Sequence, residues 1–142
     1  MYQHETNIRV RYSETDKMGV VYHSHYIEYY EVARTECMRS LGMSYRELEA
    51  TGIILPVTKV ESIYKGSLYY DDEVVIVAKI KELPSYKIRF EYDVKRDDVV
   101  VNKGVTELVF YDANRKKPCR APQEMIEKLK PHFESKKVIK LG

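Results

Sequence analysis

The chain has 142 residues, a length that suits one domain spanning residues 1–142 and able to bury roughly 70% of its unfolded surface. Its 24 basic against 22 acidic side chains leave a formal charge of +2, too balanced for general nucleic-acid binding, and it has no run of about 18 apolar residues with which to insert in a membrane. His4, Glu5, Asn7 and Arg9 interrupt the start where a leader would be apolar, and two cysteines are too few for a disulfide framework, so a reduced, cytoplasmic setting is expected.

In chain order, Asn7 to Tyr12 alternates as a short strand. Asp16, Gly19, a short apolar run and His23 then lead into an amphipathic helix. The first-turn amides of a helix have no intrahelical partner and carry roughly half a positive charge, so they can receive a carbonyl oxygen that becomes negative during attack. Gly19 permits a tight bend that brings Asp16 beside that carbonyl carbon, where its carboxylate attacks directly or takes a proton from water. By itself an aspartate before a glycine is more often a turn former; the ordered motif as a whole is what points to catalysis. His23 and His25 are only two residues apart, and no HExxH or Cys/His ladder exists, so no metal is expected.

Ser24 offers an N-cap to a helix running to about Leu41, with Gly42 as its stop. Tyr26, Tyr30, Ala33, Cys37 and Leu41 form its core-facing stripe, which makes Cys37 a packed hydrophobe rather than a nucleophile. Glu31 is a supporting acid on this helix, with Arg34 in reach as an ion-pair partner. Ser44 and Glu47 form a capping box for a short second helix ending near Gly52.

Extended segments follow from Pro56 to about Tyr69, then Glu73–Lys81, Lys87–Lys95 and Val99–Tyr111, separated by turns at Asp71–Asp72, Pro84–Ser85 and Asp97–Asp98. A further helix starts at Pro122, and the terminal ESKKVIKLG reads as frayed or as a small packing strand. One long helix followed by consecutive antiparallel strands is an α+β arrangement, a sheet wrapped round the helix.

The run TDKMGVVYHSHYIEYYEVART resembles the first motif of the hotdog-fold thioesterases of the 4-hydroxybenzoyl-CoA thioesterase type, especially the short acyl-CoA branch associated with the Tol–Pal system. The likeness extends through the Asp71–Asp72 turn, the strand-rich second half and the segment after Pro118. It implies a hotdog fold, with Asp16 catalytic, the backbone amide of His23 polarising the thioester carbonyl, and Tyr12 and His23 lining the site. His25 stands where many relatives have Asn and Ser67 where they often have Pro; His25 is expected to alter the acyl pocket or its hydrogen bonding.

The resemblance implies hydrolysis of acyl-CoA to free acid and CoA, with no cofactor beyond the CoA of the substrate. An acyl-carrier-protein thioesterase and a non-catalytic acyl-CoA-binding module are the alternatives. Lys116, Lys117 and Arg120 are candidates for the CoA phosphates, with Lys87 and Arg89 weaker ones. Thirteen tyrosines against three phenylalanines fit surfaces half buried and half wet, and with the open edge of a hotdog sheet they imply a homodimer or homotetramer.

Overall fold

The computed structural model describes residues 1–134. Five antiparallel strands form the main sheet: β1 (Tyr2–Arg9), β3 (Val57–Tyr64), β4 (Glu73–Ile80), β5 (Lys87–Arg96) and β6 (Val99–Val109), in the spatial order β1-β4-β5-β6-β3. Three two-residue strands, β2 (Ile53–Ile54), β7 (Tyr111–Asp112) and β8 (Lys117–Pro118), make a second small sheet. The helices are α1 (His25–Ser40), α2 (Tyr45–Ala50) and α3 (Gln123–Leu129). The main sheet wraps α1, and this is the hotdog arrangement. No helix among the described residues is long and apolar enough to cross a membrane.

The helix is held because one face is apolar and aromatic. Tyr26, Tyr29, Tyr30, Ala33, Cys37 and Met38 are all buried against the sheet. Tyr30 stacks on Tyr92 of β5 with centroids 4.5 Å apart and planes at 12°. It also hydrogen-bonds Ser62 at 2.7 Å and Asn102, so the buried phenol is satisfied. This close approach requires Gly104 on β6, where an added Cβ would lie 2.1 Å from the Tyr30 ring. Burial pushes the Cys37 thiol up to about 12, which keeps it an inert core residue.

Turn chemistry sets the strand ends. Asp97 and Asp98 both take positive φ (51° and 63°), the two-residue hairpin that joins β5 to β6, and Asp71 takes φ 71° before β4. Gly42 (φ 84°) stops α1, and Ser44 with Glu47 completes both bonds of the capping box of α2.

Three boundaries depart from expectation. The first strand is Tyr2–Arg9 rather than Asn7–Tyr12: its inward positions include His4 and Thr6, polar residues that disguise the alternation, and the chain leaves the sheet at buried Val10, whose amide donates to the Asp72 carbonyl at 3.0 Å. The stretch from Pro56 breaks after Tyr64, where the amides of Lys65 and Gly66 both donate to the Val101 carbonyl. Ser24 precedes α1 but has helical φ and ψ (−68°, −21°), and its side chain makes no capping bond. The α3 start after Pro122 agrees with the structure, whereas the terminal ESKKVIKLG falls, beyond Glu134, outside the described residues.

Candidate active site

Residues 14–22 form a tight hairpin. The Asp16 amide donates to the Val20 carbonyl (2.9 Å), the Gly19 amide to the Asp16 carbonyl (2.9 Å) and the Tyr22 amide to the Glu14 carbonyl (2.9 Å). Gly19 sits at φ 80°, a conformation that suits glycine. The returning arm is pinned to the sheet region by the Val21 amide on the Leu68 carbonyl at 2.8 Å. Asp16 is half-buried at the turn. Its Oδ1 accepts from the amides of Met18 (2.8 Å) and Val20 (3.4 Å), while Oδ2 has no hydrogen-bond partner among the described residues. One carboxylate oxygen therefore builds the turn and the other is available.

The hairpin feeds directly into α1. The amides of His25, Tyr26 and Ile27 are taken by the carbonyls of Tyr22, His23 and Ser24, at 3.0, 3.3 and 3.3 Å. This tight first turn leaves the amides of His23 and Ser24 without partners among the described residues. They are donors at the positive end of a 16-residue helix. The His23 carbonyl is held by the Tyr64 hydroxyl at 3.0 Å, which fixes the peptide at the end of α1.

The buried Glu14 was not anticipated from sequence. It accepts from the Arg11 amide (2.9 Å), the Arg11 Nε (3.1 Å) and the Tyr29 hydroxyl (2.8 Å), so it ties the hairpin to α1. Burial alone would raise its pKa, but these donors outweigh it and hold the carboxyl below its ordinary range. No sequence spacing announces this bond, since Tyr29 lies 15 residues away.

The other candidates distribute unevenly. Tyr12 is 76% exposed and packs edge-on against Tyr70 at 5.6 Å, without a hydrogen bond from its side chain to Asp16 or His23. The His23 side chain is exposed and lies against Tyr22, so its contribution to the hairpin end comes through the backbone. His25 opens α1 and pairs its Nδ1 with Glu28 at 3.1 Å. Glu31 is exposed, and the expected ion pair with Arg34 does not form: Arg34 turns into the core.

The basic candidates lie at the far end of the sheet from Asp16 within one protomer. The hairpin docks beside Leu68 and Tyr69, next to Arg96 at the end of β5. Lys87 begins that ten-residue strand, about 30 Å away at the usual rise. Lys87 and Arg89 are paired with Glu107 at 3.1 and 3.0 Å, and Arg120 stacks over Tyr86. Lys116 and Lys117 sit at the β7–β8 turn of the same end. One protomer does not bring any of them to Asp16. Among the described residues no group of three or more His, Cys, Asp or Glu is arranged to hold a metal ion.

Residues 10–129 match the model of the thioesterase-like superfamily. The acyl-CoA thioesterase YbgC of Haemophilus influenzae is 30% identical over 119 residues, covering 83% of this chain and 88% of that protein. The crystal structure of DHNA-CoA thioesterase from Staphylococcus aureus superimposes with a TM-score of 0.80 at 34% identity, over 94% of this chain and 85% of that one. That of a hypothetical protein from Aquifex aeolicus gives 0.84 at 32% identity, over 89% and 98%.

Proposed function

The chain belongs to the thioesterase-like superfamily, and we propose that it is an acyl-CoA thioesterase releasing a free acid and CoA. The observation that carries this reading is the Asp16–His23 hairpin: a carboxylate with one oxygen unpaired among the described residues is joined by a hydrogen-bonded turn to two amides, likewise unpaired there, at the N-terminus of α1. In the reaction those amides would take the thioester carbonyl oxygen as it gains charge, a role worth typically about 3 kcal/mol per donor. Asp16 attacks the carbonyl carbon and expels CoA thiolate, leaving a mixed anhydride that water then hydrolyses to the free acid and the regenerated carboxylate, or Asp16 takes a proton from the water that attacks the thioester directly. In either route the departing thiolate takes up a proton given by that water. Tyr12 and His23 wall the site, with His25 and Glu31 in support.

The catalytic unit is proposed to be a homodimer, with a homotetramer as the larger form. β3 is an edge strand carrying Val57, Val60, Ile63 and Tyr64, all between 39% and 58% exposed, and an edge of this kind is blunted by pairing with a second copy. Antiparallel pairing there would bring the far end of one protomer toward the Asp16 end of the other. Lys116, Lys117, Arg120, Lys87 and Arg89 would then meet CoA phosphates from the neighbouring subunit. Within the superfamily the proposed branch is the Tol–Pal-associated one, on the likeness of the TDKMGVVYHSHYIEYYEVART run.

A thiol-release assay across short, long and aromatic acyl-CoAs, with acyl-carrier-protein thioesters alongside, tests the reading. Turnover of acyl-CoA is expected; tight binding of acyl-CoA without thiol release would make the protein a binding module instead.

A further inference from the structure

From the His23 amide, the inner face of β3 runs along the flank of α1. Tyr64 holds the His23 carbonyl, Ser62 meets the Tyr30 hydroxyl, and Val60 is the cross-strand neighbour of Thr106. The distance from Tyr64 to Val60 is about 13 Å along an extended strand. Val60 and Tyr64 remain 39% and 46% exposed in one protomer, so this face of β3 is not covered by the protomer's own described residues.

At its far level sits an uncompensated charge. Arg34 of α1 is 7% exposed, and no carboxylate lies within 4 Å of it among the described residues. Its Nε is buried without a hydrogen-bond partner, and so is the hydroxyl of Tyr45 on α2. The guanidinium lies close enough to the hydroxyls of Tyr45 and Tyr92 to lower the pKa of both by its charge and by hydrogen bonding, and the Tyr92 hydroxyl also meets Thr106 at 2.6 Å, so its near neighbours are neutral hydroxyls. Burial lifts Tyr45 to about 12 even though the nearby guanidinium pulls it down, so these hydroxyls stay neutral and give Arg34 no counter-charge. Arginine cannot shed its proton, and burying it to this degree without a carboxylate is costly.

We infer that Arg34, assisted by Tyr45, receives an anionic oxygen at the distal end of the acyl group, so that the preferred substrates are acyl-CoAs whose chain ends in a carboxylate. The inference rests on the thioesterase reading and deepens it. With the thioester at the His23 amide, a medium-length chain lying over Val60 carries its terminal carboxylate to the guanidinium, whose planar fork suits a two-pronged bond. A methyl-terminated chain of the same length leaves that charge unpaired.

The test compares suberoyl-CoA with octanoyl-CoA, equal in carbon number and differing in the terminal carboxylate. Both kcat/KM and the Kd of the corresponding non-hydrolysable thioether analogues are measured on the native oligomer. The wild type is expected to favour the suberoyl compound by roughly tenfold or more in each measure. Arg34→Met should abolish or invert the ratio, and Arg34→Lys should keep part of it. Equal or better use of octanoyl-CoA by the wild type, or an unchanged ratio in a folded Arg34→Met protein, overturns the assignment and points to a carboxylate from a second copy as the partner of Arg34. If Arg34→Met does not fold, the wild-type and Arg34→Lys ratios decide. If neither thioester is hydrolysed, the thioesterase reading fails, and the analogue Kd values still decide whether Arg34 reads a distal anion.

Discussion

The Tyr29 hydroxyl donates a 2.8 Å hydrogen bond to Glu14 Oε1, joining α1 to the hairpin that carries Asp16. Both groups are buried, and the carboxylate also takes the Arg11 amide and guanidinium. Because Asp16 follows Glu14 by two residues, this bond fixes where the hairpin sits on the helix whose amides face the substrate.

Tyr29→Phe removes one donor and leaves the Glu14 carboxylate buried with fewer partners, a loss of about 1–3 kcal/mol. Urea unfolding at pH 7 measures it, and an unchanged midpoint would mean that Arg11 alone satisfies Glu14.

The same site sets an acid limit on stability. Glu14 is held below its ordinary range in the folded protein, so its contribution is full where the unfolded carboxyl is ionised and is lost as pH falls through the lower, folded value. Stability should therefore drop on acidification below about pH 5, and the drop should be shallower in Glu14→Gln, whose own stability at neutral pH is lower. Parallel acid-limb slopes for the two proteins would assign the acid sensitivity to other carboxylates.

Much of the hairpin and the helix was legible because its signals are local: Gly19 for the bend, Gly42 for the stop, Ser44 and Glu47 for the second helix. The Glu14–Tyr29 bond was not, because it exists only once α1 packs over the hairpin. Arg34 misled for a related reason. Its spacing from Glu31 suits a surface ion pair, yet the turn of the helix places it on the buried side with Tyr30 and Met38. The basic residues were grouped by composition and position near the C-terminus, whereas strand direction decides which end of the sheet they occupy.

Pairing through β3 predicts a mass of at least a dimer in solution. Light scattering at micromolar concentration should give a dimer or tetramer, and Ile63→Glu, which puts a charge on a 58% exposed edge position, should weaken it. A fully active monomer would leave β3 unpaired and remove the route by which a neighbour's basic residues reach CoA.

Replacing Lys116, Lys117 and Arg120 together by Ala should raise KM for acyl-CoA more than it lowers kcat, since phosphates remote from the thioester contribute mostly uniform binding. Steady-state kinetics on one acyl-CoA separate the two constants. An unchanged KM would put the phosphates elsewhere, with Arg11 and Lys17 beside the Asp16 hairpin the next residues to substitute.

Asp16→Asn separates the two duties of the carboxylate. In the structure Oδ1 accepts the Met18 and Val20 amides, and an asparagine carbonyl oxygen can accept the same two bonds, so the hairpin should survive with little change in Tm. The free Oδ2 is replaced by an NH2 that can neither attack a carbonyl nor accept a proton from water. If the available oxygen does the chemistry, kcat should fall by about 100-fold or more while Kd for a non-hydrolysable acyl-CoA analogue stays close to wild type. If Asp16 serves only the turn, asparagine does that work nearly as well and turnover should barely change. Measuring kcat, Tm and Kd on both forms distinguishes these cases, and wild-type turnover by a correctly folded Asp16→Asn protein would remove Asp16 from the mechanism.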